Sequence, residues 1–112
     1  MANLQQQINN VKLYVEARQR GDDGLSLVHF FSFHGSLVDL NKTAHTGKTA
    51  LVKYYQDNPA TATTSITDPV CENGSIYVDL TFYYTRTIRA TFEFEQGTAM
   101  IKRITLVKTS YL

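Results

Sequence analysis

The sequence predicts an α+β domain in which three helices precede an antiparallel sheet. Over most of the chain before Pro59, apolar residues recur at steps of three and four, the period of amphipathic helices. Beyond Pro59, apolar and polar residues alternate as they do in half-buried strands. No internal repeat or low-complexity linker divides the 112 residues. We therefore predict one domain over residues 1–112, with the helices on one face of a bent sheet.

Residues that cap or break helices set the expected bounds of the first half. The first helix is predicted from Asn3 as N-cap to a stop at Gly21. A second, strongly apolar helix is expected from Asp22-Asp23 through Phe31. The remaining elements before Pro59 are a short strand over residues 36–40, a turn over 45–48 and a helix over 49–56.

Four strands are predicted in the second half, over residues 66–71, 76–84, 88–95 and 99–108. Pro69 interrupts the first of them, because proline cannot donate to a strand ladder. Turns are expected at Asn73-Gly74, Arg86-Thr87 and Gln96-Gly97. The apolar phase of the last strand shifts near Lys102, which predicts a bulge.

Composition narrows the possible functions. The net charge is +1 and the basic residues are dispersed, so we expect no nucleic-acid partner. No apolar run approaches the ~18 residues of a membrane span, and residues 1–7 do not form a signal peptide, so we expect a soluble protein without a membrane partner. Cys71 is the single cysteine, which favours the cytoplasm, and we expect it to be buried. No histidine pair has metal-ligand spacing, so we predict neither a metal site nor another cofactor.

Asp39 is the main candidate for chemistry. It lies between Val38 and Leu40, and aliphatic surroundings remove hydration from a carboxylate. Because this favours the protonated form, we predict that the pKa of Asp39 is raised toward a range useful for proton transfer. Two interpretations remain open. The side chain is a general base if it faces a cavity, or a structural acid if it bonds a nearby backbone N–H or Lys48.

The order and spacing of these elements resemble the nuclear transport factor 2-like (SnoaL-like) superfamily, and the Δ5-3-ketosteroid isomerases in particular. The resemblance covers roughly residues 8–108. Its matching features are Tyr14-Val15, Gly21-Asp22, Phe31 eight residues before Asp39, Thr46-Gly47, Tyr54-Tyr55, residues 67–70, residues 92–94 and Gly97. The resemblance implies a cone-shaped α+β fold, with three N-terminal helices packed on a strongly bent mixed or antiparallel sheet around a hydrophobic pocket.

The resemblance also implies roles for individual residues. Asp39 would remove a proton beside a ketone and return it two carbons away. Tyr14 would donate a hydrogen bond to the developing enolate oxygen, and Tyr55 would support that phenol. The second oxyanion donor of these isomerases is a protonated acid, and its position falls at or beside Ala90. Since losing one such donor typically costs about 10²–10³ in rate, full isomerase activity is not expected.

Two functions follow as hypotheses. In the first, an isomerase or lyase acts by general base catalysis on a small apolar carbonyl compound, with Asp39 and Tyr14 as catalytic residues. Its ligand-binding residues would be Phe31, Val38, Tyr55, Val78, Leu80, Phe82, Ala90 and Phe92. In the second, the protein is a noncatalytic binding or scaffold protein whose aromatic residues fill the cone wholly or partly. Tyr14 would then be a core residue, as aromatics at helical spacing often are.

The polar face of the predicted sheet has a different composition. It combines aromatic bulk, hydroxyls and opposite charges, which suits a protein–protein interface. The resemblance implies homodimers formed through the outer face of the sheet. We predict a homodimer that uses Tyr77, Thr81, Tyr83, Arg89 and Thr91.

Overall fold

The computed structural model describes residues 3–109, so residues 1, 2 and 110–112 of the predicted domain lie outside the described residues. The helices are α1 (Leu4–Arg20), α2 (Gly24–Leu27) and α3 (Lys48–Asp57), with a 3₁₀ turn at Val28–Phe30. The strands are β1 (Phe31–Val38), β2 (Ala44–Thr46), β3 (Ser65–Ile66), β4 (Val70–Glu72), β5 (Ser75–Phe82), β6 (Arg86–Phe94) and β7 (Ile101–Lys108). The predicted α+β class is confirmed. None of the helices within residues 3–109 is long and apolar enough to cross a membrane.

Both ends of α1 follow from its capping residues. The Asn3 side chain accepts the N–H of Gln6 at 2.9 Å, and the Gln6 side chain accepts the N–H of Asn3 at 2.8 Å. This reciprocal pair satisfies two N–H groups that the first turn leaves without a helical partner. Gly21 ends the helix with a φ of 83°, a conformation that costs little without a Cβ. The predicted bounds of α1 are confirmed.

The prediction of one apolar helix through Phe31 is wrong. Asp23 caps α2 by accepting the N–H of Ser26, but α2 has only four residues before the 3₁₀ turn. Phe31 instead begins β1, which ends at Val38, so the predicted strand over residues 36–40 starts too late and ends too late. Periodicity cannot separate a buried helix from a buried strand in a short apolar run.

The sheet is mixed, with the strand order β2-β1-β7-β6-β5-β3 and β4 paired to β5. β1 and β7 are parallel, and the other pairs are antiparallel. Glu93 pairs with Arg103 and Phe94 pairs with Ile101, which leaves Lys102 as the extra residue of a bulge. The bulge predicted near Lys102 is therefore confirmed.

Two details of the second half differ from the predictions. The β5–β6 turn lies at Tyr83-Tyr84, whose φ angles are 53° and 66°, and the predicted turn residues Arg86-Thr87 belong to β6. Bulky residues rarely adopt positive φ, so their types favoured a longer strand. Cys71 is exposed on β4, which pairs only at its β5 side within residues 3–109, so the predicted burial is wrong.

The core lies between α1, α3 and one face of the sheet. Val11, Tyr14 and Val15 of α1 pack with Leu51 and Tyr55 of α3 in a single buried cluster. The strands contribute Phe31, Leu37, Ile76, Val78, Ala90, Phe92, Ile101 and Ile104. Alternate residues of β5 and β6 therefore point toward the helices, and those between them form the outer face of the sheet.

Candidate functional site

A cavity of about 580 Å³ lies between the helices and the inner face of the sheet, within the usual size range of ligand sites. Its apolar lining residues are Val15, Leu37, Leu40, Pro59, Ala60, Leu80, Phe82, Ile88, Ala90, Phe92, Ile104 and Leu106. Its tyrosines and its polar or charged lining residues are Tyr14, Arg18, Gln19, Asp39, Asn41, Tyr54, Tyr55, Asp57, Asn58, Thr61, Tyr83 and Arg86. The cone is therefore not filled by its own side chains.

Tyr14 and Tyr55 form a hydroxyl pair in the cavity wall. Their oxygen atoms are 2.6 Å apart, and both side chains are buried. Rings of Phe30, Phe31 and Phe92 pack edge-on against the Tyr14 ring and hold it in place. Burial raises the pKa of Tyr14 to about 12 and raises the pKa of Tyr55 well above its ordinary value. Both phenols therefore remain protonated at neutral pH, and when Tyr55 donates to Tyr14, the Tyr14 hydrogen is available to a ligand.

Asp39 directly follows β1 and begins the turn that leads to β2. Its Oδ1 accepts the backbone N–H groups of Asn41 and Thr43 at 2.9 and 3.0 Å. Its Oδ2 lies 2.8 Å from Nε2 of His45. The hydrogen bond from His45, followed by that from the Thr43 amide, lowers the pKa of Asp39 below its ordinary value. The predicted increase in this pKa is wrong, because the hydrogen bond from His45 and those from the two backbone amides outweigh the loss of hydration.

His45 is the functional candidate that the sequence analysis missed. Antiparallel pairing places His45 opposite Leu37, and paired residues point to the same side of a sheet. Asp39 follows Leu37 by two residues, so Leu37, Asp39 and His45 share the inner side. The His45 ring also packs against Tyr54, with 4.8 Å between ring centroids. The sequence predicts a strand over residues 36–40 and a turn over 45–48 here, and not the hairpin whose pairing brings His45 to Asp39.

The predicted site residues do not all reach the cavity. Asp39, Tyr14, Tyr55, Leu80, Phe82, Ala90 and Phe92 line it. Phe31 and Val78 are buried in the core beside it, and Val38 lies on the other side of β1 from Leu37. These three are therefore not among its lining residues. The sequence analysis also missed the lining residues Leu37, Arg18, Ile88, Ile104, Leu106 and Arg86.

The wall around Ala90 is apolar. Ile88, Ala90 and Phe92 are alternate residues of β6 and all line the cavity. Their side chains cannot donate a hydrogen bond, so no second acid stands on this part of the described wall. Among residues 3–109 the acids that line the cavity are Asp39 and Asp57. Within the same range, no group of three or more His, Cys, Asp or Glu side chains is placed to hold a metal ion.

Comparison of the structure with solved structures identifies the fold. A proposed polyketide cyclase from Xanthomonas campestris pv. campestris superposes with a TM-score of 0.72, at 16% identity over 95% of this chain and 92% of that chain. A proposed ketosteroid isomerase from Kribbella flavida DSM 17836 superposes with a TM-score of 0.71, at 12% identity over 96% of this chain and 81% of that chain. An NTF-2 like protein of unknown function from Burkholderia xenovorans LB400 superposes with a TM-score of 0.70, at 10% identity over 96% of this chain and 86% of that chain.

These likenesses show that the chain has the nuclear transport factor 2-like fold. No family model matches the sequence, and no curated protein matches it. Proteins with this fold include a proposed cyclase and a proposed isomerase, so the fold leaves the reaction open.

Proposed function

We propose that this protein binds a mainly apolar carbonyl compound and transfers a proton next to its carbonyl group. Asp39 is the general base and Tyr14 is the hydrogen-bond donor to the oxygen. The supporting observation is that a carboxylate and a buried, protonated phenol line the same cavity, whose wall is partly apolar. Since a cysteine without a possible intrachain partner favours a reducing compartment, we also propose that the protein acts in the cytoplasm.

The proposed step uses the protonation states described above. The Asp39 carboxylate takes a proton from the carbon beside the carbonyl, and the C–H electron pair moves into the carbon–carbon bond while the carbonyl oxygen becomes an enolate. Tyr14 donates to that oxygen, with Tyr55 donating to Tyr14 in turn. Delivery of a solvent-derived deuteron to the same carbon in place of the proton gives exchange, and return of the proton two carbons away across a double bond gives isomerisation. The lowered pKa of Asp39 keeps it ionised at neutral pH, and it also makes Asp39 a weaker base than an ordinary carboxylate.

Hydrogen–deuterium exchange tests the proposal. We expect the protein to accelerate loss of the proton NMR signal beside the carbonyl of a Δ5-3-ketosteroid, or of a smaller apolar ketone, in deuterated buffer. The acceleration should saturate with ketone concentration, because it requires a complex. Saturable binding of the ketones without accelerated exchange would contradict the proposal.

A noncatalytic ligand-binding protein is the second candidate. It is favoured by the apolar wall at Ile88, Ala90 and Phe92, which offers the oxygen no second donor. Binding without exchange is the outcome that supports this candidate.

We propose that the protein is a homodimer through the outer face of the sheet, without the predicted Tyr83, which lies in the β5–β6 turn and lines the cavity. Arg89 bonds Asp79 through two nitrogen atoms at 2.8 and 3.1 Å, and its guanidinium lies 3.9 Å from the Tyr77 ring centroid. Thr81 bonds Thr87 across the same face at 3.2 Å. These contacts pair the charges of this face within the chain, and they fix Tyr77 and Arg89, whose residue types are enriched in protein–protein interfaces.

Light scattering after size exclusion measures the assembly. At micromolar concentration we expect about twice the chain mass of 12.7 kDa. Thr91→Arg should shift the protein toward monomer, because it adds an unpaired charge between Tyr77 and Thr105 on this face. Lys12→Glu, on the exposed side of α1, is the control. A monomer mass for the unmodified protein would refute the dimer.

A further inference from the structure

The charges around the cavity are not evenly compensated. Its charged lining residues are Arg18, Asp39, Asp57 and Arg86. Asp39 is bonded by His45 and two backbone amides. Asp57 forms an ion pair with Lys53, with Nζ 3.0 Å from Oδ2. Each carboxylate therefore has its donors within the protein.

The two arginines are different. Arg18 donates from Nη2 to the carbonyl oxygen of Asn58 at 2.6 Å, and its guanidinium lies 5.0 Å from the Tyr55 ring centroid. Neither contact brings a negatively charged group to the Arg18 guanidinium, so its positive charge is not compensated. The exposed Arg86 side chain makes no hydrogen bond or ion pair with any residue between 3 and 109. The cavity lining therefore carries two cations without an anionic partner in this part of the chain.

Both arginines lie on one continuous stretch of the cavity rim. Arg18 is in the last turn of α1, and its bond to Asn58 joins that turn to the loop after α3. Thr64, farther along this loop, bonds the backbone of Thr81 in β5 and of Tyr84 in the β5–β6 turn. Arg86 follows that turn by two residues. The rim therefore runs from Arg18, through the loop, to Arg86.

Asp39 is on a different part of the rim. It follows β1, whereas Arg86 begins β6, and β7 lies between these strands. Adjacent strands are about 4.8 Å apart, so the two strands are separated by roughly 10 Å. The deep end between these parts is formed by buried residues, namely Leu37, Ala90, Phe92 and Ile104. A ligand that spans the cavity would meet an apolar interior and a positively charged rim.

We propose that the ligand of this cavity is an elongated amphipathic acid, whose apolar body occupies the deep end and whose carboxylate lies at the rim against Arg86 and Arg18. This inference rests on the proposed function only in taking the cavity as a ligand site. It adds that the carbonyl group near Asp39 and the carboxylate are separated by a chain of at least roughly 10 Å, because the two strands are roughly 10 Å apart and Arg86 also lies four residues, about 13 Å, farther along its strand than Asp39. Arginine suits this role because its planar fork matches the two oxygens of a carboxylate.

Calorimetric titration with decanoate and decanol tests the charge preference without requiring catalysis. The unmodified protein should bind decanoate more tightly than decanol at low salt. Arg86→Met should weaken decanoate binding about three- to tenfold and leave decanol binding unchanged, because Met keeps much of the apolar stem and removes the charge. Arg86→Lys should recover part of the loss. Lys12→Met removes the same charge from the exposed side of α1 and should change neither affinity.

Three results would overturn the inference: equal affinity for the two ligands, an equal loss for both in Arg86→Met, or binding of neither. The exchange experiment separates this inference from the proposed reaction. Decanoate preference without ketone exchange would remove the proton transfer and leave the acid-binding rim. Ketone exchange without a preference for decanoate would support the proton transfer and exclude the acid-binding rim.

Discussion

Replacing Asp39 with asparagine is expected to lower the protein-accelerated exchange rate by about 10²–10⁴-fold, the usual contribution of a general base. The amide has the size of the carboxylate, and its oxygen can still accept the N–H groups of Asn41 and Thr43. The turn should therefore persist while the base is lost. Proton NMR of the exchanging ketone measures the rate, and Glu16→Gln, on exposed α1 surface, is the control. A loss below threefold would show that Asp39 is not the base.

Variants of His45 separate positioning of Asp39 from folding. His45→Ala removes the first cause of the lowered pKa, so the pKa of Asp39 should rise toward its ordinary value. His45→Gln offers an N–H donor in place of Nε2 and should keep more of the lowering and more of the exchange rate. Carbon NMR of the Asp39 carboxyl against pH measures the shift. Identical titrations in the two variants would exclude a directing role for His45.

The same pKa has a consequence for stability. A carboxyl group whose pKa is lowered on folding stabilises the folded state above its unfolded pKa, here 3.8, and this contribution is lost as the pH falls through the lower folded value. Asp39→Asn should therefore lose some stability at neutral pH and become less sensitive to acid in that window. Urea unfolding at several pH values in and above the window measures both effects.

The fold was predicted more completely than the site because periodicity records which residues are buried. The bounds of α1, the Asn73-Gly74 turn and the bulge near Lys102 follow from local rules that tertiary contacts did not override. Tyr83-Tyr84 is the exception. The positive φ angles there are uncommon for tyrosine, so residue type predicted a longer strand.

The environment of Asp39 could not be predicted from its neighbours in sequence. Val38 and Leu40 indicated desolvation, but the deciding atoms are two backbone amides in the following turn and the Nε2 of His45 across the hairpin. Hydrogen bonds to a carboxylate depend on where the chain turns, which apolar periodicity does not record. The contact between Tyr14 and Tyr55, 41 residues apart, likewise depends on how α1 packs against α3.

Phe92→Ala is expected to destabilise the protein by about 3–5 kcal/mol, a large part of the 5–15 kcal/mol typical of a single domain. Phe92 is 0% exposed, although the deep end of the cavity borders it. Its ring contacts Tyr14 edge-on at 5.6 Å between centroids, so truncation removes packing from both the core and the proposed donor. Urea unfolding followed by far-UV circular dichroism gives the difference in free energy of unfolding.

Phe33→Ala is a matched control because the same change is made at a side chain that is 88% exposed, and its cost should stay below about 1 kcal/mol. Phe92→Leu should lie between the two, since it keeps most of the buried volume. These variants also test whether the cavity is a built feature of the core. Phe92→Ala could instead lower the free energy of unfolding no more than Phe33→Ala does. The Phe92 ring would then not support the deep end of the cavity, and the fixed position of Tyr14 could not be attributed to packing against Phe92.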